Sequence, residues 1–522
     1  MAINPVKTPF PNMTFTPDVP SAALGSNEYN SGLNVETDVR GIKKIYGDQT
    51  ILGLIPGKVI YLTSNFRLET TYWFVAATED GKWYGITAPG GGTGITDITP
   101  QVAQYNGSGY TINTAFTDSW NGDVLFINDG INPPMYLLPT DQEIRLYDSS
   151  YIDQTPNKYI WNYYAVTPGW TNLTAGFQRV YSAPNVGSIL IAGNFNYSLG
   201  GTTYNLPNTV RWSQAFGLNS GPTTWAPTLT NIANELDIPV RGPVIDGFPL
   251  NGNFYVCSYW DTVVFSPIAY TSVNAPVFGI RLINAGRGLL NENCWANTDN
   301  YVFGIDARDV WMFDGGTFKA IGNQRVKNYL YSNLNSLYTN QVCMINNSAR
   351  YQIEIYYPDL TSTGYCNKMM SYRYDLDVWN PPRDVKDAVA ATESPVWTAN
   401  VANLATRGIV YARGNTAVQH QLIQKDQGNS FVGNVAIDSY FRRDNINFGE
   451  PYSNNIQVHR VLPQVVGSGN ITVQVGGANS TGQDPTFKPA VTLPIATDDP
   501  WVQIDQNDFR VTSLIVGSND AT

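Results

Sequence analysis

Apolar and polar positions alternate most clearly over residues 300–322, and that stretch sets the reading of the rest. Tyr301, Val302, Phe303 and Ile305 predict one strand, Asp306 to Arg308 a turn, and Val310 to Phe313 a second strand. Asp314, Gly315 and Gly316 turn the chain again. Aromatic and β-branched residues suit a pleated surface, and Asp-Gly and Gly-Gly pairs mark hairpin ends. One blade of a β-propeller reads this way.

The pattern recurs along the chain. Taking the first strand of each unit, the starts fall near residues 73, 124, 189, 254, 302, 352 and 409. Gaps of about 45 to 65 residues match four-stranded blades with their loops. The copies share no WD or kelch signature. Six to eight blades fit, and a large sandwich gives similar spacing. In a propeller, closure by strands from both ends is expected, with Val35 to Ile45 pairing with the strands of 409–422.

Outside this array the pattern changes. Pro5, Pro9, Pro11, Pro17 and Pro20 fix φ and remove donors, so residues 1–34 read as an extended arm. Such an arm is either a frayed terminus or a strap onto a neighbouring subunit. Val326, Leu330 and Leu334 share one face of a short helix over 324–334, in a connection between blades. After Asp438, short alternating strands near 455–466, 470–476, 490–493, 501–504 and 510–516 predict a small β-sandwich. The expected fold is all-β: an arm over 1–34, a propeller-like array over 35–438, and a sandwich over 439–522 with its boundary between 435 and 450.

Composition narrows the function. Of 522 residues, 43% are apolar, enough for a large core. Charged residues make up 14%, against roughly 25% in an average protein. The formal net charge of −11 gives no bulk attraction for nucleic acid. That argues against a DNA reader, but it suits a channel that DNA passes without sticking. The N-terminus has no apolar leader-like region and no run approaches ~20 apolar residues. A soluble protein made in a cytoplasm is the expectation.

Candidate chemistry is sparse. Cys257, Cys294, Cys343 and Cys366 have no C-x-x-C spacing and read as small core residues, although two disulfides are possible in principle. His420 and His459 lack Cys or His neighbours for a metal. Gly90 to Gly94 has no following Lys-Ser/Thr, so it is a loop and not a phosphate cradle. Asp375 to Asn380 begins like a calcium loop but lacks the Gly and the distant Glu. Glu354, Asp359 and Asp377 could pair as glycosidase carboxylates. Trp120, Trp212, Trp225, Trp260, Trp311 and Trp379 are either sugar platforms or wedges in the core. The seven Asn-x-Ser/Thr sites, from Asn12 to Asn479, read as chance in a chain rich in these residues. No catalytic, cofactor-binding or metal-binding residue is assigned, no cofactor is expected, and the chain is not read as an enzyme.

Four stretches carry a resemblance. They are Trp120 to Pro134 with its Asn-Asp-Gly and Pro-Pro, and Val210-Arg-Trp-Ser with Thr224-Trp-Ala-Pro. Gly286-Arg-Gly-Leu-Leu precedes Phe313-Asp-Gly-Gly, and Phe448-Gly-Glu-Pro, Arg460-Val and Val475-Gly follow. In this order the chain resembles the tail nozzle, or packaged-DNA stabilisation (tubular tail), proteins of short-tailed bacteriophages (podoviruses). The resemblance implies a structural subunit of a ring, a hexamer, below the portal and adaptor. The ring retains packaged double-stranded DNA and lets it pass at ejection, without reading its sequence. Its other partners are tail fibres or spikes, it does not insert into a membrane, and it sits in the virion tail after synthesis in the host bacterial cytoplasm. The 324–334 helix is a candidate inter-subunit contact. The alternative is a carbohydrate-binding or glycan-degrading receptor-binding tail component.

Overall fold

A computed structural model describes residues 10–65, 72–87, 94–101, 105–146, 170–228, 231–268, 277–398, 401–414, 419–446, 455–495 and 502–519. Five four-stranded antiparallel sheets follow one another along the chain. Their first strands are Val59–Ser64, Thr117–Asn121, Trp170–Ala183, Val244–Leu250 and Trp295–Asn297. A further sheet has seven strands and divides into two blades. Its long strand Val378–Thr398 pairs with Cys366–Arg373 through residues 378–388, then with Val401–Gly414 through residues 388–398. It is therefore the last strand of blade 6 and the first of blade 7.

Blade 7 is completed by the N-terminal strand Asp48–Ile55, which pairs antiparallel with His420–Lys425. Strands from both ends do close the array, but the expected N-terminal partner was wrong. Val35–Asp38 instead forms a hairpin with Gly41–Lys44. The reason is apolar content. Half of residues 35–44 are charged, whereas Leu52 and Ile55 drop into the cluster between blades 7 and 1 beside Val59, Val410 and Leu422. Comparable clusters lie between the other neighbouring blades, as with Phe177, Trp212, Val256 and Phe278 between blades 3 and 4.

All seven expected strand starts fall on second strands, not first ones. These are Phe74–Thr78, Val124–Asn128, Gly187–Leu199, Asn253–Ser258, Val302–Ile305, Gln352–Tyr357 and Val401–Gly414. A second strand is covered by a strand on each side and a blade on each face. Val124, Leu125, Phe126 and Ile127 are accordingly all fully buried. First strands line the axis, carry polar residues there, and break the apolar pattern.

Blade 5 shows how local sequence builds one unit. Val302 faces Phe313 and Gly304 faces Trp311 across the hairpin. The Asp306 carboxylate accepts from the N–H groups of Arg308 at 2.7 Å and Asp309 at 2.9 Å, which fixes the turn. Trp311 lies flat on Gly304, where an added Cβ would sit 2.2 Å from the indole. Gly304→Ala must therefore move a fully buried tryptophan. We expect a loss of about 1–3 kcal/mol, read as a lower denaturant midpoint at unchanged slope.

The N-terminal segment packs on its own chain. This corrects the arm reading for the described part, 10–34. Thr14–Phe15 pairs in parallel with Glu28–Tyr29, and Ser31–Leu33 pairs with the first C-terminal-domain strand, Ser439–Ile446. Met13, Phe15 and Tyr29 are buried with Val326, Trp379 and Phe441. The expected helix spans Lys327–Asn333, with Val326, Leu330 and Leu334 buried. Its first turn faces this segment. Asp18 accepts from the N–H groups of Asn328 at 2.6 Å and Tyr329 at 2.8 Å.

Beyond residue 438 lies a two-layer β unit. One sheet contains Ser439–Ile446, Val511–Ser518 and Asn470–Ala478, with Ser31–Leu33 at one edge. A ribbon of Ile456–Val461 and Val502–Phe509 supplies side chains to the same small core, with Ile471 and Val473 at its centre. The N-terminal segment thus belongs to both units and ties them together.

The four cysteines are free, and Cys257, Cys294 and Cys366 are buried. Burial pushes the Cys257 thiol up to about 12 and the Cys343 thiol up to about 11. Since the thiolate is the reactive form, all four should react with a thiol reagent in denaturant and stay silent for hours in the native protein. Fast labelling of the folded chain would contradict this packing.

Candidate functional site

The polar axis of the propeller is the most elaborate site in the described residues. It is built from the first strands. Arg179 is buried at its centre and grips Asp246 of blade 4 with two bonds, Nε to Oδ1 at 2.9 Å and Nη2 to Oδ2 at 2.6 Å. The same guanidinium donates to the Asp118 carbonyl of blade 2 at 2.6 Å and to Asn293 Oδ1 at 2.9 Å. Asn293 lies just before the first strand of blade 5, and its Nδ2 reaches across to the Phe116 carbonyl at 2.6 Å. Its own carbonyl accepts from Met344 N–H of blade 6 at 2.9 Å.

The remaining joints follow the same rule. Thr63 of blade 1 donates to the Asp118 carboxylate at 2.6 Å. Ser64 of blade 1 donates to the Glu393 carbonyl of blade 7 at 2.6 Å, and Ser348 of blade 6 donates to the Glu393 carboxylate. Above the network opens a polar funnel of ≈ 430 Å³, lined by Tyr181, Asn251, Asn297, Asp299, Asn346 and Glu393 among others. The amides, hydroxyls and carboxylates that line it suit water or a small polar solute. The Arg179 layer below fills the axis.

Burial raises the carboxyl groups of Asp118 and Glu393 above their usual range. Glu292, beside Asn293 and near Asp246 and Arg179, is pushed up to about 7, chiefly by burial. An acid raised in the folded state favours folding while protonated. Its cost is absent below the unfolded value of ~4.3, grows through the interval, and is complete above pH 7. Glu292→Gln should therefore leave stability unchanged at pH 4 and raise it by about 1–3 kcal/mol at pH 8. An equal effect at both pH values would contradict this.

The residues singled out from sequence lie elsewhere and do not converge. Glu354 is fully buried against Lys425 at 2.9 Å, with Asn347 and Tyr356 donating to it. Asp359 caps its own turn through Thr361 and Asn367, and Asp377 pairs with Arg325 at 2.8 Å. Asp375 pairs with Arg373 at 2.6 Å. Trp212, Trp225, Trp311 and Trp379 are buried wedges, Trp120 donates to Thr63, and Trp260 is 37% exposed. His420 is buried beside Tyr365 and His459 is exposed. Gly90 to Gly92 lie outside the described residues. No group of His, Cys, Asp or Glu among the described residues has the arrangement to hold a metal ion.

Sequence reasoning missed Arg179, Asp246, Asp118 and Asn293. A signal existed: an Arg or Asp inside an otherwise strand-like run, as in Phe177 to Tyr181 and Val244 to Phe248. Axial residues are those that break the alternation at the first strand of a blade.

The site and topology define the class, an all-β propeller with a second β unit tied to it. No family model matches the chain, and no curated protein does. Among solved structures the chain is similar to the C-terminal WD40 domain of Sif2, at 10% identity and a TM-score of 0.37. The match covers 73% of this chain and 99% of that one. So loose a likeness carries no argument, and the propeller rests on the blade order and on the bonds between blades.

Proposed function

We propose that the chain is a non-catalytic structural subunit of the tail nozzle of a short-tailed phage, assembled as a ring below the portal and adaptor. The observation that carries this reading is the order of the four signature stretches, seen together with where they fall. Trp120 to Asn128 spans the first hairpin of blade 2, Val210 to Trp212 ends the third strand of blade 3, and Gly286 to Leu290 leads into blade 5. Phe313 to Gly316 forms the last turn of blade 5. Residues 447–454, with Phe448 to Pro451, lie outside the described part.

The architecture supports a load-bearing role. A closed ring of blades whose ends are joined by paired strands and buried ion pairs resists local opening. Because the Arg179 network fills the propeller axis, DNA in this reading passes between subunits, through the lumen that the ring encloses. The net charge of −11 suits a wall to which DNA does not stick. Among the described residues no helix is long and apolar enough to cross a membrane.

The test is the mass of the purified protein with and without its candidate adaptor ring, by native mass spectrometry. Six copies joining the adaptor is the expected result. A stable monomer or trimer that ignores the adaptor sinks this reading and favours the glycan-binding alternative, to be followed by a polysaccharide screen.

A further inference from the structure

Blade 4 ends in an outer strand unlike those of the other blades. Phe278–Ala285 is eight residues long. The outer strands of blades 1, 2, 3 and 5 are Ile95–Asp97, Arg145–Leu146, Asn234–Asp237 and Phe318–Ala320, none longer than four residues. That of blade 6 is covered by the N-terminal segment, with Asn34 bonding to Asp384 and Thr14 to Trp379. That of blade 7, Asp48–Ile55, is broken by two register shifts. Short, covered or bulged edges are the usual protection against pairing with another chain.

The blade 4 edge lacks all three protections along most of its length. Its one register shift lies at the far end, opposite Thr262 and Val263, and among the described residues no strand pairs along its outer side. Exposed apolar side chains follow it from end to end: Ile268 at 47%, Leu282 at 39% and Trp260 at 37%. Arg281 is exposed between them and forms no ion pair among the described residues. Arg308 stacks on the Trp260 ring at 5.5 Å, and Tyr259 meets it edge-on at 4.6 Å. That holds the indole rigid. Rigid Trp with Arg is the composition of interface hot spots.

We propose that this edge is where a second copy of the chain docks, with Trp260 and Leu282 as apolar anchors and Arg281 meeting a carboxylate of the neighbour. Charge identifies the occupant. An acidic chain with exposed Asp97 and Asp237 on its own outer strands supplies the carboxylate. Two copies of the blade 4 edge placed face to face would bring two Arg281 side chains close, and like charges across a strand pair are unfavourable. The contact is therefore heterologous, edge to a different surface, and heterologous contacts generate rings when the rotation closes. This rests on the ring reading above, and the experiment separates the two.

The full chain and the variants Arg281→Glu, Leu282→Lys and Trp260→Ala are compared by native mass spectrometry over a concentration series, alone and on the adaptor ring. All three positions are exposed, and thermal melts check that folding is unchanged. Leu54→Lys on the bulged blade 7 edge is the control. The expected result is that wild type and Leu54→Lys assemble alike, while each blade 4 variant associates at least tenfold more weakly (about 1.4 kcal/mol). Blade 4 variants that assemble like wild type overturn the docking edge and leave the ring intact. A wild type that stays monomeric with and without the adaptor overturns both.

Discussion

Asp48→Ala is expected to cost about 3 kcal/mol or more, because it removes one partner of a buried charge pair at the seam of the ring. Asp48 opens the closing strand. It accepts from Arg383 Nη2 at 2.5 Å and from the Tyr411 hydroxyl at 2.7 Å. Arg383 also reaches Asp426 at 2.6 Å, and Asp426 is held by Lys425 at 2.6 Å and Arg350 at 3.3 Å. Arg350 continues to Glu36 at 2.8 Å in the N-terminal hairpin. One network therefore links both ends of the propeller array across blades 6 and 7. Burial works against the charge of Asp426, yet Lys425, Arg383 and Arg350 together hold its carboxyl below the usual range.

The measurement is the unfolding free energy from urea titration. Asp48→Asn, which keeps an acceptor for Tyr411, should cost less than Asp48→Ala. Two deletions separate the seam from the segment before it. A chain lacking residues 1–47 keeps the closing strand, whereas one lacking 1–55 loses it. The shorter deletion removes Phe15 and Tyr29 from the core and should melt early but cooperatively. The longer one should lose the cooperative transition. Equal melting of the longer deletion and the full chain would refute closure by Asp48–Ile55.

The sequence made the blades legible because a strand covered on every side leaves a run of apolar residues that nothing else in the chain imitates. Val124 to Ile127 and Val302 to Ile305 are such runs, and the spacing of the units fits six to eight blades. The choice of closing strand was less legible. Residues 35–45 and 48–55 both alternate in part, and only the cluster around Leu52, Ile55 and Val59 decides between them. The course of the N-terminal segment was hidden for a related reason. Its prolines rule out helix and inner strand, but two-residue and three-residue pairings such as Thr14–Phe15 and Ser31–Leu33 leave no periodic trace. The axis was least legible. Arg179, Asp246 and Asn293 are separated by about 50 to 70 residues, and closing the ring is what brings them together.

Arg179→Met tests whether that axis holds the blades together, and its expected effect is as large as that of Asp48→Ala. The substitution keeps much of the side-chain volume and removes the guanidinium bonded to Asp246. Asp246 is fully buried. It would retain Trp295 Nε1 at 2.8 Å, Gly247 N–H at 2.8 Å and Asn293 N–H at 3.2 Å as donors, with no counter-charge. Breaking a buried pair from one side costs about 3–5 kcal/mol, much of it the penalty for the charge left behind. Two consequences follow from that origin. Removing the second charge as well, in Arg179→Met with Asp246→Leu, should recover a large part of the loss, so the two changes are strongly non-additive. Added salt should barely alter the deficit, because buried pairs are poorly screened. A variant that loses less than about 1 kcal/mol would mean that the interblade apolar clusters hold the ring and that the axial ion pair adds little to them.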